Sequence, residues 1–507
     1  MNKYLIGIFA AATLLIGCVT NPVTGKKEVR LVGESWELDV GEKQYAPLRQ
    51  MQGGDYVVDP AVERYVNSVG QKLAKVSDRD LPYEFNVIND STPNAWALPG
   101  GKISINRGLL VELQNEAELA AVLGHEIVHA AAGHGARGVT RGAALQAGVV
   151  AVLIGSQGKV DPNVAQVGAS VGAQLINSKY GRDAERESDR YGIEYMQKVG
   201  YDPKGAVSLQ EAFVRLSEGQ NQNAFEQMFA SHPPSIERVA NNRALAAKLP
   251  PGGDLGRERY QRVMAKMFKA RPAYEKYDEA KKAFTAGDEG KATQLVREAI
   301  RIEPNEGHFH SFLGDIHRGR NQFDASKRAY DQAIRLNPNF FYYYLGRGQL
   351  FEAAGQQRAA KNDLNRSMQL LPTSQAQAAL GNIATIERDF DSAKKYYRAA
   401  ANAGGAVGQN ALGELMKLDL EGNPGAYLQT AVGLSNGNVV IQVKNPSPRA
   451  VTGVAIQLAS ANGQSSTQRF NGILAAGKTQ VIQTGVRWPA DRIRELRATV
   501  VRASLAR

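Results

Sequence analysis

From Ala61 to Ser77 the apolar residues Val62, Tyr65, Val66, Val69 and Leu73 recur at helical spacing and predict one amphipathic helix. Two shorter pieces, Tyr83 to Ile88 and Gly101 to Asn106, read as strands. The stretch between them, NDSTPNAWALPG, has the Pro and Gly content of a turn. Asn115, with Glu118 three residues later and LAAVLGHEIVHAA following, makes a capping-box-like helix start. From Ala143 to Gly155 the chain is apolar on nearly all sides; about 13 residues is too short to cross a bilayer, so the pattern predicts a buried or lid helix.

Farther along, the pattern repeats. Ala299-Ile300 with Pro304, Ala333-Ile334 with Pro338 and Ser367-Met368 with Pro372 recur with a period of about 34 residues, as do Gly314 and Gly348, which is the tetratricopeptide period. Small residues such as Ala292 and Ala360 let paired helices approach, and Tyr330 and Leu364 are expected to fill the gap between units. A fourth unit with Gly381, Ala393, Tyr397 and Ala400 comes one residue early and lacks the proline. Such units stack into a short solenoid with a concave face. Past Pro424, apolar and polar residues alternate in short runs separated by turn signals, which predicts a small β-sandwich.

The fold class is therefore α+β, with a mainly helical N-terminal domain, an α-solenoid and a C-terminal β-sandwich. The expected parts are a leader over 1–17, a first domain over 18–265, repeats over 270–405 and a sandwich over 425–507. A chain of 507 residues that is 43% hydrophobic can support three such cores. Charge is nearly balanced through Ala265, and the basic excess falls beyond it, 33 Lys and Arg against 21 Asp and Glu. A solvated surface accounts for that excess, and attraction to an anionic membrane or acidic partner is the sharper reading. Aromatic and basic residues are not interleaved as in a nucleic-acid groove, so no nucleic-acid partner is expected.

The apolar run from Tyr4 to Ile16 ends in Leu15-Ile16-Gly17-Cys18, in the order of a bacterial lipoprotein cleavage site. That resemblance implies export, cleavage before Cys18 and lipid on its thiol and new amino group. Val19 in the next position implies outer-membrane sorting. Cys18 is the only cysteine, so no intramolecular disulfide can form.

GHEIVH, Gly124 to His129, is the chemical centre of the sequence. His125 and His129 lie one helical turn apart, so both rings can reach one ion, and Glu126 can reach a water held by that ion. A helix with two partly buried histidines would read the same way. His134 does not complete the longer HExxHxxGxxH zinc pattern, since its glycine is one place late and its histidine one early. On the acidic helix Tyr180 to Met196, Glu185 and Asp189 share a face, and Asp189 can fix the tautomer of a ligand histidine. The same helix could instead be a solvated one, with Arg182, Arg186 and Arg190 pairing its acids.

Together HEIVH, the E-x-x-S-D of Glu185 to Asp189, the NAWALPGG segment from Asn94 and SHP at Ser231 to Pro233 resemble the HtpX and CAAX-prenyl-protease family of zinc metallopeptidases. A lipid signal ahead of the domain and repeats after it resemble that family's periplasmic BepA-like branch. The resemblance implies a zincin-type fold and one Zn2+ per chain, held by His125, His129 and Glu185, with Asp189 supporting. Glu126 would be the general base, His232 a fourth ligand that displaces water, and Arg238 a group that steadies the oxyanion. Asn94, Ala95, Trp96 and Ala97 would offer a strand edge to an extended substrate. Ser188 and Gly181 depart from the family's usual residues, but both are small. The implied activity is a zinc endopeptidase of the bacterial periplasm, anchored by lipid to the outer membrane. It would degrade misfolded or misassembled outer-membrane proteins and meet their assembly machinery through the repeats. The alternative is a chaperone or assembly factor whose protease is latent. His308, His310 and His317 fall in the repeats and are expected to serve packing or surface.

Overall fold

The structure, a computed structural model, describes residues 17–145, 180–218 and 226–506. All but Gly17 of the expected leader, and the lid helix over 143–155 beyond Leu145, lie outside the described residues. The chain forms two compact units that divide between Tyr343 and Tyr344.

The first unit opens with a hairpin, β1 (Gly17–Thr20) antiparallel to β2 (Lys27–Arg30), in which Cys18 pairs with Val29. Asn21 closes its turn: Oδ1 accepts from the amides of Val23 and Thr24, and Nδ2 donates to the carbonyl of Ala132 at 3.2 Å. Helices α1 (Glu34–Met51) and α2 (Pro60–Ala74) follow. Asp59 caps α2 by accepting from the Ala61 amide, and Pro60 supplies the preset φ of a first helical residue. Next come β3 (Glu84–Ile88), β4 (Ala95–Leu98) and β5 (Lys102–Asn106). Their order is β3-β5-β4, with β3 parallel and β4 antiparallel to β5. The stretch whose composition reads as a turn thus contains a strand, and that strand lies at the sheet edge, where the family resemblance implies one.

Helix α3 (Glu116–Ala131) carries both histidines and has only one residue, His125, that is not fully buried. Its start is capped as expected: Asn115 Oδ1 accepts from the Glu118 amide at 2.9 Å, while Glu118 accepts from the Gln114 amide and the Asn115 side chain. Next are α4 (His134–Leu145), α5 (Arg182–Lys198), α6 (Lys204–Glu218), α7 (Glu226–Ser231) and α8 (Ile236–Ala246). Helices α3 and α5 meet backbone to backbone at two glycines. A Cβ on Gly192 would stand 3.0 Å from the His125 amide nitrogen, and one on Gly124 would stand 3.1 Å from the Gly192 carbonyl. Helix α9 (Arg257–Thr285) continues without a break through the boundary expected at 265–270. Its first half buries Tyr260, Met264 and Met267, and the Tyr260 hydroxyl donates to the Leu110 carbonyl. Its second half packs on α10 (Glu289–Ile302) and starts the repeats. The pair α11 (Gly307–Gly319) and α12 (Phe323–Leu336) completes the unit.

The second unit continues from α13 (Phe341–Ala353), in which the division falls, through α14 (Gln357–Leu370), α15 (Ser374–Ile386), α16 (Phe390–Asn402) and α17 (Gly405–Asp419). The periodic glycines have one physical purpose in both units. A Cβ on Gly314 would meet the Tyr330 ring at 3.1 Å, one on Gly348 would meet Leu364 at 2.9 Å, and one on Gly381 would meet Tyr397 at 2.7 Å. Tyr330 and Leu364 therefore fill the space within a helical pair, under its glycine. The gap between units is not their place. After α17 come β6 (Gln429–Ser435), β7 (Asn438–Lys444), β8 (Val451–Ser460), β9 (Ser465–Phe470), β10 (Thr479–Arg487) and β11 (Leu496–Leu505). They form two antiparallel three-stranded sheets, β10-β7-β6 and β11-β8-β9. Val439, Ile441 and Val443 of one sheet share a core with Val454, Ile456 and Leu458 of the other, and with Leu415 and Met416 of α17.

Gly192→Val should force α3 and α5 apart, because the atoms it meets are backbone. We expect a loss of about 1–3 kcal/mol of stability by chemical denaturation, together with weaker metal binding.

Candidate active site

The donors converge from three segments. His125 and His129 bring their Nε2 atoms to 2.9 Å of each other. Glu185 on α5 places Oε2 3.5 Å from His125 Nε2 and Oε1 3.4 Å from His129 Nε2. His232, just after α7, sets Nδ1 3.3 Å from His125 Nε2 and 3.1 Å from Glu185 Oε1. One ligand atom from each of these four residues lies within 4.8 Å of the others. An ion bound tetrahedrally at about 2.0–2.1 Å spaces its ligands roughly 3.3–3.4 Å apart, which these separations bracket. Three imidazoles and one carboxylate suit zinc, and the residues present fit it. Burial holds His129 well below the ordinary histidine pKa, so its ring is neutral, as a ligand must be.

Glu126 is 3% exposed, and its Oε2 is buried without a hydrogen-bond partner among the described residues. Its Oε1 lies 3.7 Å from His232 Nε2. Burial pushes its carboxyl above the usual range, despite the nearby histidines. An unpartnered carboxylate beside the donors can take a proton from water there and return it.

A supporting layer holds the donors. Asp189 Oδ1 lies 3.0 Å from His125 Nδ1, which leaves Nε2 of that ring for the ion. Arg238 on α8, 8% exposed, donates from Nε and Nη2 to the two Asp189 oxygens at 2.7 Å each. Its Nη1 lies 3.0 Å from Glu185 Oε2 and donates to the Pro233 carbonyl at 3.1 Å. The guanidinium expected at a reacting oxygen is thus engaged with the two carboxylates. Arg186 pairs with Asp183 and Glu237 and Arg190 with Glu194, so these exposed arginines of α5 leave Glu185 and Asp189 to the donors and to Arg238.

Two contacts escaped the sequence reading. His134, set aside as a ligand, stands behind one: its Nδ1 is 2.7 Å from His129 Nδ1, and its Nε2 is 3.2 Å from Glu187 Oε2. Burial holds His134 at about 4, so near neutral pH it can accept from His129 Nδ1–H while donating to Glu187. Arg137 secures Glu187 at 2.7 Å. Tyr180 stacks on the His129 ring, centroids 3.9 Å apart. The five-residue spacing of His129 and His134 was the available signal, but it bears on orientation and not on ligation.

Asn94, Ala95, Trp96 and Ala97 are all buried, and Trp96 donates to Gln52. Ala95 lines a pocket of about 50 Å³ with His125, Glu126, His232 and the apolar Leu109, Val122, Leu209 and Phe213. Cys18 lies in β1, far along the chain from these residues. His308 packs within the first unit, with Nε2 2.8 Å from the Gly53 carbonyl and Nδ1 2.6 Å from the Tyr343 hydroxyl. His310 and His317 make local contacts, to the Pro304 carbonyl and the Gln322 side chain.

Residues 60–246, which contain every donor described above, match the profile of peptidase family M48. That stretch is similar to the M48 peptidases. A tetratricopeptide repeat matches over residues 308–340. The metalloprotease YcaL of Escherichia coli is 29% identical over 255 residues, 48% of this chain and 96% of its own. The beta-barrel assembly-enhancing protease of Yersinia pestis is 24% identical over 62% of this chain and 74% of its own. The protein of that name in Escherichia coli is 28% identical over 40% of this chain and 45% of its own. This chain thus spans about half the length of some curated relatives that it matches. Among solved structures, MamA aligns with a TM-score of 0.25 and 19% identity, over 29% of this chain and 87% of its own, a likeness too low to bear on function.

In the peptidase domain, Asp189→Asn should lower zinc affinity roughly 10–100-fold in competition with a chromogenic chelator. His134→Gln, which can still accept from His129, should lower it less.

Proposed function

We propose that the chain is a zinc-dependent endopeptidase of the bacterial cell envelope that degrades misfolded or misassembled outer-membrane proteins. The observation that carries this reading is the meeting of His125, His129, Glu185 and His232 beside the unpartnered Glu126 carboxylate. Zinc, when bound, supplies a Lewis acid that polarises the scissile carbonyl and lowers the pKa of water. His125, His129 and Glu185 are its permanent ligands. Glu126 Oε2 takes the proton from the attacking water and gives it to the leaving amine. Asp189 orients His125, and His134 orients His129. Arg238 positions Glu185 and Asp189. The edge of β4, from Asn94 to Ala97, is buried in this state and aligns the substrate as an added strand only once it is uncovered, a contact that reads main chain and tolerates many sequences. The names of the relatives support the choice of substrate class, and the repeats support capture of polypeptides and of assembly machinery. Cys18 is assigned as the lipid-bearing residue of a periplasmic, outer-membrane-anchored protein.

His232 adds a second element. With its Nδ1 among the donors, four protein atoms would be available to a bound zinc ion, as many as it ordinarily takes, and a pocket of about 50 Å³ holds a few waters but no peptide. This arrangement is the latent state, and hydrolysis requires His232 to leave. It also favours an assembly role in which the peptidase is used only occasionally.

Glu126→Gln should retain one zinc per chain by metal analysis and lower casein cleavage by at least about a hundredfold. Metal loss or unchanged cleavage would refute its assignment as base. His232→Ala should keep zinc and raise cleavage of a loose substrate severalfold; unchanged activity would remove the latch. Full complementation of envelope defects by Glu126→Gln would make the assembly role primary.

A further inference from the structure

A second cavity, of about 390 Å³, lies in the first unit where the loop after β3 meets the second half of α9 and α11. That size falls within the roughly 300–1,000 Å³ usual for ligand sites. Its walls include Tyr274, Tyr277 and Phe312, and it borders Arg107, Lys281 and Ser311. Arg107 is the unusual member. It is 3% exposed, stacks at 3.4 Å over the Tyr274 ring and makes no ion pair among the described residues. Its Nε donates to Asn89 Oδ1 and its Nη2 to Ser91 Oγ, which leaves Nη1 with no partner among the described residues. The carboxylate behind it, Glu306, is occupied by Asn89 Nδ2 and the Tyr274 hydroxyl. A buried charge is ordinarily paired, because desolvation without a counter-charge is expensive. Ser311, 2% exposed, also has a buried hydroxyl with no partner. Lys281 adds a second cation, over the Tyr277 ring at 4.7 Å, which shares its charge with Asp278 Oδ1 at 2.8 Å. The two acids on the rim pair with neither cation among the described residues: Asp90 accepts from the Thr92 amide, while Asp315 accepts from the hydroxyls of Tyr330 and Tyr342, lies 3.4 Å from Arg318 and has its carboxyl raised by burial.

We propose that this cavity binds a peptide carboxylate, paired with Arg107 Nη1 and Lys281, with the adjoining aromatic side chain seated among Tyr274, Tyr277 and Phe312. Guanidinium and carboxylate match in charge and planar geometry, and a ring enclosed by rings gains edge-to-face contacts. The site is separate from the metal donors and does not depend on hydrolysis. Because its walls come from both the peptidase domain and the first repeats, it holds a polypeptide at their junction. The carboxylate can be a chain terminus or an Asp or Glu side chain next to an aromatic residue.

The test uses the full chain carrying Glu126→Gln, so that the probe survives, and fluorescence anisotropy of three dye-labelled peptides. One ends in phenylalanine with a free carboxylate, one is its C-terminal amide, and one is an amide with an internal Glu-Phe pair. The free acid should bind at least about tenfold more tightly than the plain amide, and less tightly as salt rises. Tight binding by the Glu-Phe amide as well would support a side-chain source. Arg107→Gln should abolish the preference for acid. Lys281→Gln, at a half-exposed position, should reduce it about threefold and keeps the test open should the first variant fail to fold. Equal affinity for acid and plain amide in the parent chain would overturn the proposal. So would a full acid preference in Lys281→Gln together with a folded Arg107→Gln.

Discussion

The site depends on how closely two helix backbones can approach. Gly124 and Gly192 put α3 and α5 in direct main-chain contact, one residue before His125 and three after Asp189. At that separation Glu185 and Asp189 stand opposite the imidazoles, and their reach is set by the backbone more than by flexible side chains. Everything else holds this arrangement in place. The Asn115 and Glu118 cap fixes where α3 begins, and Arg238 brings α8 onto both carboxylates at once. Two acids buried side by side would repel and protonate. One guanidinium shared between them makes the cluster tolerable, and for Asp189 it outweighs the burial that would raise its pKa.

Much of this could be read from the chain because the relevant spacings are short and periodic. Two histidines one turn apart restrict geometry strongly, whereas Glu185 and Asp189 on a single helical face fit a solvated helix equally well, and it is the family resemblance that brings them and His232 to the imidazoles. The repeat period disclosed the solenoid, and alternation disclosed the sandwich. What escaped reading depends on tertiary surroundings. His134 failed a ligand motif, yet its part is to face the back of His129, which no ligand motif tests. Strand β4 was hidden from the hydrophobic pattern and was implied only by family resemblance, because Ala-Trp-Ala-Leu is buried on both faces and so does not alternate, while Pro93, Pro99 and Gly100 around it announce a turn. The continuity of α9 escaped for the opposite reason: a change of partner halfway along a helix leaves no punctuation, and Pro272 sits inside it without ending it.

Helix α9 also explains why the first compact unit extends past the peptidase domain to Tyr343. Its N-terminal half belongs to the peptidase core and its C-terminal half pairs with α10, so the earliest repeats are fused to the peptidase by a continuous run of backbone hydrogen bonds. A flexible linker would let the two parts sample many orientations. A shared helix permits few, and any polypeptide caught at the junction meets the peptidase domain in a restricted direction.

The hairpin at the start of the described chain sets a different kind of limit. Cys18 is already in β1, and Asn21, three residues later, is completely buried against Ala132 at the end of α3. Three residues of extended chain cover only about 10 Å. With acyl chains on Cys18, the body would therefore ride against the bilayer like a buoy on a mooring without slack. Its search would be confined to a plane, and only clients emerging at the membrane surface would come within its grasp.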